Sequence, residues 1–332
     1  MPRYGTLVDP QGRVVRDLRI SVTDRCNLRC FYCMPREGMA WLPKGDLLTF
    51  EEVARVARIA LDLGITGIRL TGGEPTVRAD LEVLVRQLRA LDPGLDLALT
   101  TNGLKLAGMA GALRAAGLTR VNVSLDTLDR ERFRRIARRD RLADVLAGLA
   151  AARRAGVAPV KVNAVLMRDF NEDEVVPLAR WARDEGYQLR FIEWMPLDAG
   201  REWTRERLVP AARILERLAA AFPLEPADAA ADDAPAALYR YRDGAGLVGV
   251  VASVTRAFCA RCDRVRLTAD GQLRTCLFAH DELDLRGALR SGADDERIAG
   301  LVRAAVARKG PGHAIGEPLF RQPARRMNAI GG

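Results

Sequence analysis

The six cysteines of this 332-residue chain fall into two triplets, Cys26-x3-Cys30-x2-Cys33 and Cys259-x2-Cys262-x13-Cys276. Each iron of a 4Fe-4S cluster normally takes one thiolate, so a triplet fills three irons and leaves the fourth open to another ligand. Two triplets would hold two such clusters. A zinc ion would instead need a fourth protein ligand. The first triplet has none at hand, because His280 and His313, the two histidines, are far away in sequence and the nearby Asp24 and Glu37 are poor partners for three thiolates. In the second triplet His280 follows Cys276 by four residues, so a zinc site of three cysteines and one histidine stays open at this point.

A second set of residues is basic. Arg19, Arg69, Lys161 and Arg190 lie in four segments otherwise apolar enough to be core. A buried cation is costly unless neutralised. No acidic residue recurs beside all four, so a multiply charged anion such as a triphosphate is the expected counter-ion. Arg264 and Arg266 stand two apart, hence on one face of a strand, and offer two more forks suited to phosphate oxygens. The excess of 52 Lys and Arg over 43 Asp and Glu, a net charge of +9, suits a polyanionic ligand or an acidic redox partner. Aromatic residues make up only 5% and are not interleaved with basic stretches, which speaks against nucleic-acid binding by base stacking.

The elements that must position these groups alternate. Short β-like runs at 18–22, 67–71, 95–100, 120–124, 160–165 and 188–192 are separated by amphipathic helices. In the helix at 49–63, Val53, Val56, Ala60 and Leu63 share a face, and Thr49 with Glu52 forms a capping box. A helix at 79–91 carries Leu81, Leu84, Val85, Leu88 and Leu91 on one stripe, and Asn171 with Glu174 reads as a further cap. Such alternation requires right-handed crossovers and a parallel sheet. Six units stop short of a closed eight-stranded barrel, so the expected fold is α/β, a partial (βα)6 TIM-type barrel over residues 1–222. Its active site belongs at the carboxyl ends of the strands, where the first triplet directly follows strand 18–22.

Composition breaks at the Ala- and Asp-rich 225–235 stretch. Beyond it, β-like runs at 247–254 and 264–268 and an Asp270-Gly271 hairpin turn predict a smaller α+β module over 223–332 that holds the second triplet and closes the barrel mouth. No apolar run of 18 residues occurs, and the opening MPRYGTLVDP lacks a basic-then-apolar signal. These features predict a cytoplasmic protein with no membrane partner, whose thiols stay reduced and available to metal.

Cys26-Asn-Leu-Arg-Cys30-Phe-Tyr-Cys33 resembles the signature of radical S-adenosylmethionine (SAM) enzymes, and Thr71-Gly72-Gly73-Glu74-Pro75, one βα unit later, resembles their Gly-Gly-Glu motif. Ser21-Val22-Thr23-Asp24-Arg25-Cys26, the second triplet followed by Asp263-Arg264-Val265-Arg266-Leu267, and the closing Gly331-Gly332 resemble, more narrowly, the GTP 3′,8-cyclases of molybdenum cofactor biosynthesis. The resemblance spans residues 15–332. It implies a 4Fe-4S cluster, not zinc, on each triplet.

It also implies roles. Cys26, Cys30 and Cys33 would hold the cluster whose open iron chelates SAM. Tyr32 through its backbone, Gly73, Ser124 and Met195 would contact SAM. Arg19, Arg69, Thr100, Lys161, Arg190, Arg264 and Arg266 would bind GTP. Cys259, Cys262 and Cys276 would hold a second cluster whose open iron meets the guanine base. Reductive cleavage of SAM would release a 5′-deoxyadenosyl radical that takes the ribose 3′ hydrogen, and the carbon radical would close onto carbon 8. Gly331 and Gly332 would enter the cavity and help position Arg19 for the reaction. The implied partners are GTP, a one-electron reductant such as flavodoxin or ferredoxin, and the next enzyme, cyclic pyranopterin monophosphate synthase, with a homodimer among the allowed assemblies and no nucleic acid. One rival is another radical SAM enzyme with auxiliary clusters, although those usually carry more C-terminal cysteines. The other is a non-catalytic cluster protein for electron transfer or nucleic-acid binding.

Overall fold

Strands and helices alternate because apolar residues recur at every second position in some segments and at every third or fourth in others. The computed structural model describes residues 2–37, 39–198, 200–227, 235–318 and 320–331. The first six strands are β1 (Asp17–Ser21), β2 (Gly67–Thr71), β3 (Asp96–Thr101), β4 (Arg120–Ser124), β5 (Val160–Leu166) and β6 (Gln188–Glu193). Between them run α1 (Phe50–Asp62), α2 (Leu81–Leu91), α3 (Leu106–Ala115), α4 (Arg130–Ala137), α5 (Leu142–Arg154) and α6 (Val175–Asp184). Each strand pairs in parallel with the next. In β1, Leu18 and Ile20 are buried against the helical layer, while Arg19 alternates to the other face. Thr49 and Glu52 form the expected capping box, with Glu52 N–H on Thr49 Oγ1 at 3.1 Å and Thr49 N–H on Glu52 Oε2 at 2.8 Å.

After α7 (Ala211–Ala221) come β7 (Leu224–Pro226), β8 (Ala237–Tyr241), β9 (Leu247–Val251), β10 (Arg264–Leu267), β11 (Gln272–Arg274) and β12 (Leu283–Asp284), then α8 (Leu285–Arg290), α9 (Asp295–Val306) and the short α10 (Met327–Ile330). β9 joins the sheet in parallel beside β6, and β10 joins in parallel beside β1. Eight parallel strands therefore run side by side, flanked by antiparallel β11–β12 on one edge and β8–β7 on the other. Among the described residues the two outer edges do not pair with each other, so the barrel is open. Gly271, at φ 78°, makes the tight turn between β10 and β11. Of the Ala- and Asp-rich stretch, residues 228–234 lie outside the described residues.

The Asn171–Glu174 cap does not form. Asn171 is fully buried and instead donates to the carbonyls of Asp126 and Val165 at 2.8 and 3.0 Å. Glu174 accepts from Thr127 Oγ1 at 2.5 Å and from Leu128 N–H at 2.8 Å. Both side chains tie neighbouring βα loops together, a demand that outweighs local capping.

Candidate active site

The carboxyl ends of the parallel strands open onto one cavity, and all six cysteines line it. The first triplet sits on the loop after β1. That loop is fixed to the end of α4 by Arg29 N–H on Ala137 O at 3.0 Å and Phe31 N–H on Ile136 O at 3.1 Å. Phe31 is packed edge-on by Tyr32, Phe170 and Trp194. Gly72 and Gly73 bring the next βα loop against the same segment: Gly73 N–H donates to Thr23 O and Glu74 N–H to Arg25 O, each at 2.7 Å. A Cβ on Gly73 would collide with the carbonyl oxygens of Asp24 and Arg25, so the second glycine is required by this backbone approach. Glu74, buried, accepts from Thr76 N–H, Thr76 Oγ1, Thr101 Oγ1 and Asn102 N–H at 2.5 to 3.1 Å.

Tyr32, Gly73, Thr100, Ser124 and Met195 all line the cavity. The Tyr32 hydroxyl donates to Asp126 Oδ2 at 2.7 Å, which fixes the ring. Burial raises the Asp126 carboxyl to about 6, against the opposing pull of the Tyr32 bond.

The cationic set is partly compensated, although no single acidic residue serves all four of its members. Asp17 stands between Arg19 and Arg69 at 3.6 and 3.7 Å. Asp96 pairs with Arg120, another cation on the inner face. Arg19, Arg69, Arg190, Arg264 and Arg266 line the cavity, whereas Lys161 lies on β5 below Asn163 and is not in its wall. Burial, then repulsion by Arg19, pulls Arg69 down to about 9. Burial, then Arg190, Arg120 and Arg69, pulls Lys161 to about 7. Arg19 Nε, Arg69 Nε, Arg190 Nε and Arg264 Nη2 are buried without a hydrogen-bond partner. Such orphaned donors are costly, and phosphate oxygens would satisfy them.

In the second triplet Cys259 and Cys262 lie between β9 and β10, and Cys276 follows β11. His313 stands beside Cys259, with its Nε2 donating to Ser253 O at 2.8 Å and its Nδ1 accepting from Ile315 N–H at 3.3 Å. His280 is exposed and does not line the cavity, so the zinc site drawn from sequence is not assembled. Among the described residues no three His, Cys, Asp or Glu side chains converge on a single-ion site. A cubane cluster spreads its thiolates over separate irons and does not require that convergence. Burial pushes Cys26 up to about 11 and Cys33 to about 12, so these thiols give up protons when metal binds. Six free cysteines on one cavity wall, three on the loop after β1 and three on the segments that follow β9 and β11, fit two clusters with an open iron apiece.

The chain end reaches the site. Asn328 lines the cavity, its backbone N–H donates to the Cys33 sulfur, and its side chain donates to Asp24 O at 3.0 Å. Gly331, at φ 82°, accepts a hydrogen bond from Arg266 Nη1, and a Cβ there would collide with Ser21 Oγ. The tail's partner is thus Arg266, not Arg19 as expected, because Arg266 projects from β10 beside the turn that ends α10. Gly332 lies outside the described residues.

Sequence reasoning missed Asp126, Asn163, Lys309, His313 and Asn328. Asp126 stands two residues after Ser124, and His313 is one of only two histidines; both signals were available.

Two family models divide the chain: Radical SAM superfamily matches residues 20–182, and Molybdenum Cofactor Synthesis C matches 187–315. The solved structure of Streptococcus suis SuiB bound to S-adenosylmethionine superposes with a TM-score of 0.61, covering 89% of this chain and 67% of that one at 14% identity, which shows the shared fold. A GTP 3′,8-cyclase of Mycobacterium sp. (strain KMS) is 57% identical across 100% of this chain and 95% of its own length. The GTP 3′,8-cyclase of Streptomyces coelicolor is 55% identical across 98% of this chain and 96% of its own. The chain belongs to the GTP 3′,8-cyclase family of radical SAM enzymes.

Proposed function

We propose that this protein converts GTP to (8S)-3′,8-cyclo-7,8-dihydroguanosine 5′-triphosphate, the first step of molybdenum cofactor synthesis. The observation that carries the reading is the single cavity lined by both cysteine triplets and by orphaned arginine N–H groups. When bound and reduced, the first cluster with SAM supplies a 5′-deoxyadenosyl radical that takes the ribose 3′ hydrogen. Cys26, Cys30 and Cys33 hold that cluster at the loop fixed to α4. Tyr32, Gly73, Ser124 and Met195 form the SAM wall, while Cys259, Cys262 and Cys276 hold the second cluster on the substrate side. Arg19, Arg69, Arg190 and Arg264 receive the triphosphate, Thr100 adds a hydroxyl, and Lys161 contributes charge from the layer below. Arg266 holds the tail. The radical must meet one hydrogen and no other, so catalysis rests on exclusion of water and on position.

Residues 1–222 act as the radical-generating barrel and 223–332 as the substrate-side module. A flavodoxin or ferredoxin as electron donor, cyclic pyranopterin monophosphate synthase as the next enzyme, a homodimeric assembly and a cytoplasmic setting complete the reading. No helix among the described residues is long and apolar enough to cross a membrane.

Two results test the division of labour. Cys276→Ala leaves SAM cleavage to 5′-deoxyadenosine measurable while cyclised nucleotide is lost; normal yield of cyclised product from this variant overturns the assignment of the second triplet. Arg264→Ala weakens GTP binding by about 1.5 to 3 kcal/mol, the scale of a hydrogen bond between charged groups, with a smaller effect on guanosine, which lacks phosphates. Equal losses for the two ligands in calorimetry would assign Arg264 a structural role, through its stacking on Phe258 at 4.8 Å and its contact with Asp263 at 3.2 Å.

A further inference from the structure

The Lys309-Gly310-Pro311-Gly312-His313 segment after α9 wraps the second triplet. Lys309 is 3% exposed. Its Nζ donates to Cys262 O at 2.8 Å and Arg264 O at 2.7 Å, and lies 3.8 Å from Cys262 Sγ. Among the described residues no carboxylate stands within ion-pair distance of it. Asp9, the acidic group that influences it, is already paired with Arg13 at 2.5 Å. A buried ammonium without a counter-charge costs several kcal/mol. The Cys262 sulfur, 3.8 Å away, is a group that becomes anionic when metal binds.

The rest of the segment is held in the same place. Arg13 donates through Nη1 to Cys259 O at 2.6 Å and Pro311 O at 2.9 Å, and through Nη2 to Gly310 O at 2.6 Å. Gly312 passes so close that a Cβ there would lie 2.8 Å from Cys259 Sγ. His313 then sits beside Cys259, with its ring against Phe278 at 5.1 Å. At the first triplet the donors to sulfur are neutral amides, Leu28 N–H at 3.4 Å and Asn102 Nδ2 at 3.7 Å on Cys26 and the Asn328 N–H on Cys33, and the nearby cation, Arg29, donates to the Cys26 carbonyl at 2.7 Å.

We propose that Lys309 and His313 are positioning residues that set the reduction potential of the cluster on Cys259, Cys262 and Cys276, with Lys309 as the counter-ion of the Cys262 thiolate. The proposal rests on the reading that this triplet holds a cluster. A cation and hydrogen-bond donors at the thiolates stabilise the more negative, reduced cluster and so raise its potential. Lys309 and His313 hold the second cluster above the potential it would have with neutral neighbours.

The test uses the full chain carrying Cys26→Ala, Cys30→Ala and Cys33→Ala, so that only the second cluster is seen, reconstituted without oxygen. Iron content and the electron paramagnetic resonance signal are read first. A redox titration then follows that signal in this background with Lys309→Gln, which keeps a hydrogen-bond donor without charge, and with Lys309→Arg. The expected result is a cluster of full iron content whose midpoint moves to lower potential in Lys309→Gln and stays near the parent value in Lys309→Arg; His313→Phe also lowers it. An unchanged midpoint in Lys309→Gln at full iron content overturns the proposal. Should the parent itself bind no iron, the cluster reading of this triplet fails first, and the two failures are told apart. If Lys309→Gln loses iron, the His313→Phe midpoint decides, and no shift there overturns the proposal.

Discussion

Replacement of Cys26, Cys30 and Cys33 together by Ala abolishes both SAM cleavage and GTP cyclisation and halves the iron of anaerobically reconstituted protein, from about eight per chain to about four. The loss is complete because the open iron is the only proposed source of the radical, and no neighbouring side chain can substitute for it. The fold survives the change. The loop is held from outside the triplet, through Arg29 and Phe31 to α4 and through Thr23 and Arg25 to Gly73 and Glu74. Retained 5′-deoxyadenosine production, or stoichiometric zinc persisting at the second site, would break the two-cluster account.

The second large effect lies at the chain end. Gly331→Ala lowers cyclisation by about a hundredfold or more, the scale at which displacement of a positioning group by about 1 Å acts on a reaction that depends on geometry. The alanine would meet Ser21 Oγ and would be held at φ 82°, a region that glycine enters freely and other residues avoid. The Arg266 bond to the Gly331 carbonyl is then lost or displaced, so a buried guanidinium loses its partner beside the substrate phosphates. SAM cleavage persists, because Asn328 keeps its own bonds to Cys33 and Asp24. Wild-type cyclisation by Gly331→Ala, measured beside unchanged 5′-deoxyadenosine yield, would make the tail a bystander.

The six inner strands were legible because each pairs with the next in sequence, so period-two burial and intervening helical stripes suffice: β2 and β4 occupy the expected 67–71 and 120–124. The places of β9 and β10 were not legible. Each joins the sheet through pairing with a strand distant in sequence, β6 or β1, and no local pattern encodes which edge a strand will find. The cysteines could be read because thiolate chemistry is carried by residue type and spacing. Charge balance could not, since Asp17 sits two residues from Arg19 in sequence but reaches Arg69 only across the β1–β2 pair. Lys309 was invisible for the same reason: one lysine at the end of a helix looks solvated until the fold turns it onto Cys262.

One measurement tests the central claim most directly. The reconstituted protein is incubated without oxygen with GTP, SAM and a one-electron reductant, and the nucleotide product and 5′-deoxyadenosine are followed together by mass analysis. The account predicts a product of the same mass as GTP that is distinct from it, formed one for one with 5′-deoxyadenosine, and, with GTP deuterated at ribose carbon 3′, transfer of that deuterium to 5′-deoxyadenosine. SAM cleavage with GTP recovered unchanged, or deuterium retained at carbon 3′, would contradict it.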